Sequence, residues 1–457
     1  MRCWGNAAMD FPSPRLNASK VGMHFPRRFL SRAIALAAFL GIWASFASAY
    51  SVLTHEQVID LVWKDQLQPL LLNRFPDATP DALRTAHAYA YGGSLIQDMG
   101  YYPFGNKYFS DLVHYVRTGD FVENLLAQSS DLNEYAFALG ALAHYSSDNC
   151  GHPAINRVVA ISFPKLEQKY GKEVTYADNP SAHIRTEFGF DMVQVAKNRY
   201  TSDAYHDFIG FEIAKPLLER AFQQTYDMKL QDVIHDEDLA FGTFRRAISK
   251  VIPEMTKVAL IDRRADVVRD TPNFNKRKFL YRLKRSQYEK EWGRGYRRPG
   301  PGARFLAAIL KVVPKFGPFK ALAFELPTTQ TEDLYIKSIN RTIDNYTLLL
   351  HQQRSGHLDL ANLDFDTGRE GKAGEYQLAD KTYAHLLDDL AKRNFDVVNP
   401  DLRERILAFY GNLNAPVDTK KNKKAWVRTL VELQKLQLQL PDQPAVPAAS
   451  AMNLDGF

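Results

Sequence analysis

Residues 133–148 read NEYAFALGALAHYSSD. Their apolar residues recur at steps of three and four, the spacing of one buried helix face. His144 and Asp148 stand four apart in this run, so both side chains leave the helix from one face toward one place. Working outward, HEQVIDLVW (55–63) places Val58, Ile59 and Val62 at the same spacing. IRTEFGFDMVQVAKNRY (184–200) does so again, and His183 with Glu187 repeats the four-residue step there. Strand-like alternation is scarce and no period of 20–50 residues recurs, so the expected fold class is all-α rather than a sheet protein or a solenoid.

The chain has 457 residues, 45% hydrophobic and 24% charged, which suits one large or two medium globular domains and argues against wholesale disorder. Two cysteines exclude a disulfide-stapled scaffold and a cysteine-rich zinc ribbon. The long apolar run AIALAAFLGIWASF (33–46) follows Arg27, Arg28 and Arg32 and precedes Ala47-Ser48-Ala49. That order reads as a signal peptide over 1–49, cleaved after Ala49 to expose Tyr50, and predicts a secreted or periplasmic protein. Met23 offers an alternative start. The leader carries six basic residues and one acid, so of the formal +6 only +1 stays with the mature chain, and global basicity is no argument for a nucleic-acid partner.

Segment 263–320 differs from the rest, with 17 Lys/Arg against 4 Asp/Glu. It reads as a basic connector and amphipathic segment over 261–330, with peripheral membrane contact through 263–320 as its functional reading. A catalytic region is expected over 50–260, a helical C-terminal region over 331–440 and a disordered tail over 441–457. NLDFDTG (362–368) alternates Asn362, Asp364 and Asp366, but its glycine falls one place late for a calcium loop and no glutamate closes it, so it reads as a plain loop.

Six of the twelve histidines lie between residues 55 and 187, interleaved with carboxylates. Imidazole and carboxylate are the ligands zinc takes when thiolate is absent. The order is Tyr50, His55, Asp98, His114, His144-x-x-x-Asp148, His152, His183-x-x-x-Glu187. His152 sits in NCGHP, just past the expected end of the 133–148 helix. Ser146, Ser147 and Asn156 read as helix-end capping residues.

This order resembles the zinc-dependent phospholipase C family, whose helical fold is shared with the fungal zinc-dependent single-strand nucleases. The resemblance covers residues 50 to about 200. It implies up to three Zn²⁺ ions. Asp98, His114, His144 and Asp148 would hold one; His152, His183 and Glu187 a second; the α-amino group and carbonyl of Tyr50, with His55 and Asp148, a third. Asp98 would also serve catalysis as base or orienter of the attacking water. Tyr101, Tyr102, Phe104, Tyr108 and Phe109 are the candidates for a lipid-headgroup wall. The sequence departs from the family pattern in its first mature residue, Tyr for Trp, and in the step from Asp148 to His152, four residues where six are usual.

The expected function is that of a phosphodiesterase acting on phospholipid through metal-activated water. Two alternatives stay open: a single-strand nuclease of the same fold, with nucleic acid as substrate, and a non-catalytic helical protein that keeps a metal for structure.

Overall fold

The computed structural model describes residues 51–196, 211–248, 252, 327–396 and 398–438. The expectations for the leader, Tyr50, the basic segment 263–320 and the tail 441–457 lie outside these residues.

Helices carry the fold, as the sequence predicts. In chain order they are α1 (Val52–Val62), α2 (Gln68–Arg74), α3 (Pro80–Gly93), α4 (Lys107–Tyr115), α5 (Thr118–Gln128), α6 (Leu132–Ser162), α7 (Pro164–Tyr170) and α8 (Pro180–Ala196). After these come α9 (Lys215–Tyr226), α10 (Leu230–Val233), α11 (Glu237–Arg246) and α12 (Thr329–Ser355). The last three are α13 (Gln377–Lys392), α14 (Pro400–Phe409) and α15 (Lys423–Leu438). Among the described residues the only sheet is a two-residue hairpin, β1 (Leu363–Asp364) with β2 (Arg369–Glu370), antiparallel with Leu363 opposite Glu370. No described helix is long and apolar enough to cross a membrane.

Helix α6 is the axis. Asp131 starts it by accepting hydrogen bonds from Asn133 N and Glu134 N, and Pro164 prevents its continuation past Phe163. The helix continues through Asn149-Cys150-Gly151-His152-Pro153 to Ser162. The expected break after 148 is therefore absent, and His152 is mid-helix. A proline inside a helix removes the hydrogen bond to the carbonyl four residues earlier, here Asn149, at a cost of about 3 kcal/mol. Burial offsets it, because α6 is packed along most of its length.

α3 lies against one flank of α6 with backbones in near contact. A side chain on Gly140 would meet the Ala90 carbonyl oxygen at 2.1 Å, and one on Gly93 would meet that of Phe137 at 1.9 Å. α12 covers another flank. Tyr346 Oη donates to Leu139 O (2.8 Å), Ser146 Oγ to Thr342 O (3.1 Å) and Arg341 Nη2 to Cys150 O (2.9 Å). Ser146 thus ties two helices together, and neither it nor Ser147 and Asn156 caps a helix end. An apolar cluster of Ile155, Val158, Val159, Val174, Phe190, Tyr335 and Ile339 joins α6, α8 and α12. Phe190 and Tyr335 stack at 4.2 Å.

The start of α1 is fixed by two distant elements. Asp191 on α8 accepts from Leu53 N (3.1 Å) and Thr54 Oγ1 (2.8 Å), and that hydroxyl also meets Tyr335 Oη on α12 at 2.7 Å. His55 is thereby held one residue beyond a three-way junction.

The α3–α6 contact leaves no room for a methyl group. Gly140→Ala should destabilise the protein by about 2 kcal/mol, the scale of overpacking in a tight core. Urea unfolding checks this; an unchanged midpoint would show that the two helices can separate freely.

Candidate metal centre

Three helices bring histidines onto one carboxylate. His144, Asp148 and His152 follow one another at four-residue steps along α6 and share its face. His55 comes from α1, His114 from α4 and Asp98 from the 3₁₀ turn Ile96–Tyr101. Around Asp148 the donor atoms stand at short range: His144 Nε2 at 3.1 Å, His114 Nε2 at 3.5 Å, His55 Nε2 at 3.6 Å and His152 Nε2 at 3.8 Å. His114 Nε2 is also 3.4 Å from Asp98 Oδ1. The α8 pair lies alongside: His183 Nδ1 is 3.3 Å from Glu187 Oε1, and the His183 ring centroid is 6.2 Å from that of His152. None of these eight residues is more than 4% exposed.

The imidazoles are oriented from behind. His114 Nδ1 meets Ser110 O at 2.7 Å, His144 Nδ1 meets Ser94 O at 2.9 Å, and His183 Nε2 meets Val174 O at 2.6 Å. A carbonyl can only accept, so each of those nitrogens carries the proton and the other nitrogen of a neutral ring is a lone pair. Those lone pairs point at carboxylate oxygens, which are also acceptors. His114 Nε2, His144 Nε2, both Asp148 oxygens and Asp98 Oδ1 are buried with no hydrogen-bond partner. Acceptors facing acceptors in a dry core need a cation or a proton between them. A tetrahedral zinc with bonds of 2.0–2.1 Å separates its ligand atoms by about 3.3 Å, close to the spacings seen here. In two groups the ligand atoms all lie within 4.8 Å of one another, His55 with Asp98 and His144, and His114 with His144 and Asp148; neither group includes His152, His183 or Glu187.

Electrostatics agree. Burial would raise Asp148, but His144 and His114 hold it well below the usual carboxylate range. Burial draws the His114 imidazole down, yet the carboxylates of Asp148 and Asp98 bring it up to about 10. His55 is lowered to about 3, by burial first and then by His144. Without a cation, one imidazole must take a proton to balance the acids; a divalent ion does the same work with better geometry.

Of the expected headgroup aromatics, Tyr101 alone among the five packs on a cluster ring, edge-on to His114 with centroids 5.9 Å apart. Tyr102 packs on Phe244, Tyr108 stacks on His385, Phe109 stacks on Phe222, and Phe104 is exposed. The turn Ile96–Tyr101 and α4 send them into different cores, so they do not form one wall.

One residue near the cluster was not expected. Asp366, in the turn between β1 and β2, is buried with Oδ1 3.2 Å from His152 Nε2. The three polar residues of NLDFDTG have separate duties. Asn362 Oδ1 accepts from Gly119 N and Asp120 N at the start of α5, Asp364 Oδ1 accepts from Thr367 N within its own turn, and Asp366 faces the histidines. The alternation of acids was the available signal, but spacing within the loop says nothing of a histidine more than two hundred positions earlier.

The buried cluster of imidazoles and carboxylates in this all-α protein, its rings aimed by backbone carbonyls, is a donor set that could hold a divalent metal ion through nitrogen and oxygen. Residues 54–235 match the family described as zinc dependent phospholipase C, and in this segment the chain is similar to that family. The cluster's donor set fits the zinc named in that family's description. No curated protein and no solved structure gives a significant match.

Stripping the metal should cost stability directly, since it leaves buried charges unbalanced. Zinc at a thousandfold excess over its dissociation constant contributes about 4 kcal/mol. Chelation with EDTA is expected to lower the melting temperature by on the order of 10 °C, reversed by added zinc. A melting curve indifferent to both treatments would count against a metal centre.

Proposed function

We propose that this protein is an exported zinc-dependent phosphodiesterase that hydrolyses phospholipids in the manner of a phospholipase C. The observation that supports it most is the set of buried lone pairs on His114, His144, Asp98 and Asp148 turned toward one another inside the family-matched segment. In this reading Asp98, His114, His144 and Asp148 hold one zinc, and His152, His183 and Glu187 a second. The amino group and carbonyl of Tyr50, with His55 and Asp148, hold a third. Bound zinc supplies a Lewis acid for the phosphate oxygens and lowers the pKa of water toward 7.

The chain's own residues do the rest. Ser110 O, Ser94 O and Val174 O fix the imidazole tautomers. Asp98, buried with Oδ1 unpaired, orients the attacking water and accepts its proton. Enclosure by α1, α4, α6 and α8 keeps the dielectric low, so the fixed charges act at close to full strength on the charge that develops in the transition state. The leader over 1–49 directs export, and cleavage after Ala49 creates the α-amino ligand. The basic segment 263–320 makes peripheral contact with the anionic membrane surface.

Phosphatidylcholine vesicles should yield diacylglycerol and phosphocholine. His183→Ala should lower kcat by at least about 100-fold, because even residues that only support a ligand cost 10–100-fold. Intact vesicles with zinc fully loaded would overturn the lipase reading, and digestion of single-stranded DNA in the same assay would transfer it to nucleic acid.

Extra residues placed ahead of Tyr50 should remove one zinc per chain relative to the form beginning at Tyr50. Equal zinc content by elemental analysis would remove the α-amino group from the ligand set.

A further inference from the structure

We infer that Asp366, contributed by the β1–β2 hairpin outside the family-matched segment, is a fourth protein ligand of the zinc held by His152, His183 and Glu187. The inference rests on the zinc reading above and adds a residue to it.

The carboxylate is divided between two tasks. Oδ2 accepts from Tyr115 Oη at 2.8 Å and from Tyr376 Oη. Oδ1 is left to face His152 Nε2 at 3.2 Å. That contact is not a hydrogen bond: both nitrogens of His152 are buried without a hydrogen-bond partner. An ion-paired histidine would swing its N–H into line with Oδ1. Two atoms at 3.2 Å that decline to align match the edge of a zinc tetrahedron, about 3.3 Å. A role limited to accepting from the two phenols would require Oδ2 alone and gives no reason for Oδ1 to stand against an imidazole.

The hairpin is built to hold that position. Asn156 Nδ2 on α6 donates to Asp366 O at 2.9 Å, and Phe365 N donates to His114 O at 3.1 Å. Thr118 Oγ1 donates to Leu363 O at 2.7 Å. Gly368, at φ +65°, rests on α6 where Pro153 leaves Asn149 without its helical donor; a side chain there would meet Asn149 O at 2.7 Å. The turn is therefore seated one residue from His152 on the same helix. Four acids then share the cluster, Asp98, Asp148, Glu187 and Asp366, and among the described residues no lysine or arginine pairs with any of them. With Asp366, the chain would offer that zinc four nitrogen and oxygen ligands drawn from α6, α8 and the hairpin. The His152 ion accordingly ties the C-terminal region to the catalytic helices.

The test compares zinc per chain in wild type and Asp366→Asn after dialysis against a mild chelator. The amide oxygen still accepts from Tyr115 and Tyr376, so circular dichroism of the metal-free forms should coincide. Asp366→Asn is expected to carry one zinc fewer. A second variant reads ligation directly: Asp366→Cys loaded with cobalt(II) should show a near-ultraviolet thiolate-to-cobalt charge-transfer band that cobalt-loaded wild type, with its buried Cys150, lacks. Wild-type zinc content in Asp366→Asn, or no such band in the cysteine variant, would overturn the assignment while leaving the enzyme reading intact. A wild-type protein devoid of zinc would overturn both.

Discussion

Lone pairs that face one another organise this molecule. Once the carbonyls of Ser110, Ser94 and Val174 each accept an N–H from His114, His144 and His183, the remaining nitrogens of the neutral rings have nothing to donate. They meet carboxylates that likewise only accept. Burying charge without a partner costs several kcal/mol per ion, so a core of this kind is stable only with a cation or a forced proton. The raised His114 and the depressed Asp148 express that demand in opposite directions from the two sides of one contact. A divalent cation would meet that demand from both sides at once, and the donor set is one that fits zinc.

The helices answer this constraint by geometry. One helix supplies His144, Asp148 and His152 at equal steps, and it must be packed closely on several sides to hold them without water. Gly93 and Gly140 let α3 approach to backbone contact, and the hydrogen bonds of Ser146, Tyr346 and Arg341 lock α12 on another side. The Asp191–Thr54–Tyr335 junction sets where α1 begins, and with it where His55 points. Each contact is modest in isolation, at about 1 kcal/mol for a hydrogen bond. Together they place imidazoles from three separate helices around one carboxylate.

The sequence makes part of this legible. The pairs His144–Asp148 and His183–Glu187 are local, and a four-residue step on a helix means one face wherever the helix goes. The all-α class follows from the same periodicity. The run Asn149-Cys150-Gly151-His152-Pro153 misleads, because glycine and proline are local signals of a helix end and packing overrides them here. The four-residue step to His152 then looks like a departure from family spacing, whereas on a continuous helix it keeps the histidine on the face of Asp148. The aromatics after Asp98 mislead for the converse reason. Their spacing is close in sequence, but the 3₁₀ turn and α4 aim them at different cores.

Asp366 lies beyond the reach of local pattern altogether. Its position depends on a hairpin of two-residue strands whose Asn362 caps α5, whose Phe365 bonds to the His114 carbonyl and whose Gly368 fits the gap left by Pro153. The proline that obscures the helix in the sequence is thus what opens a seat for the loop in the structure. A carboxylate delivered from so far along the chain joins the C-terminal region to the histidine-bearing helices. Asp366 accepts from Tyr115 on one side and stands against His152 on the other, so separating the two parts would expose a buried carboxylate and a buried imidazole.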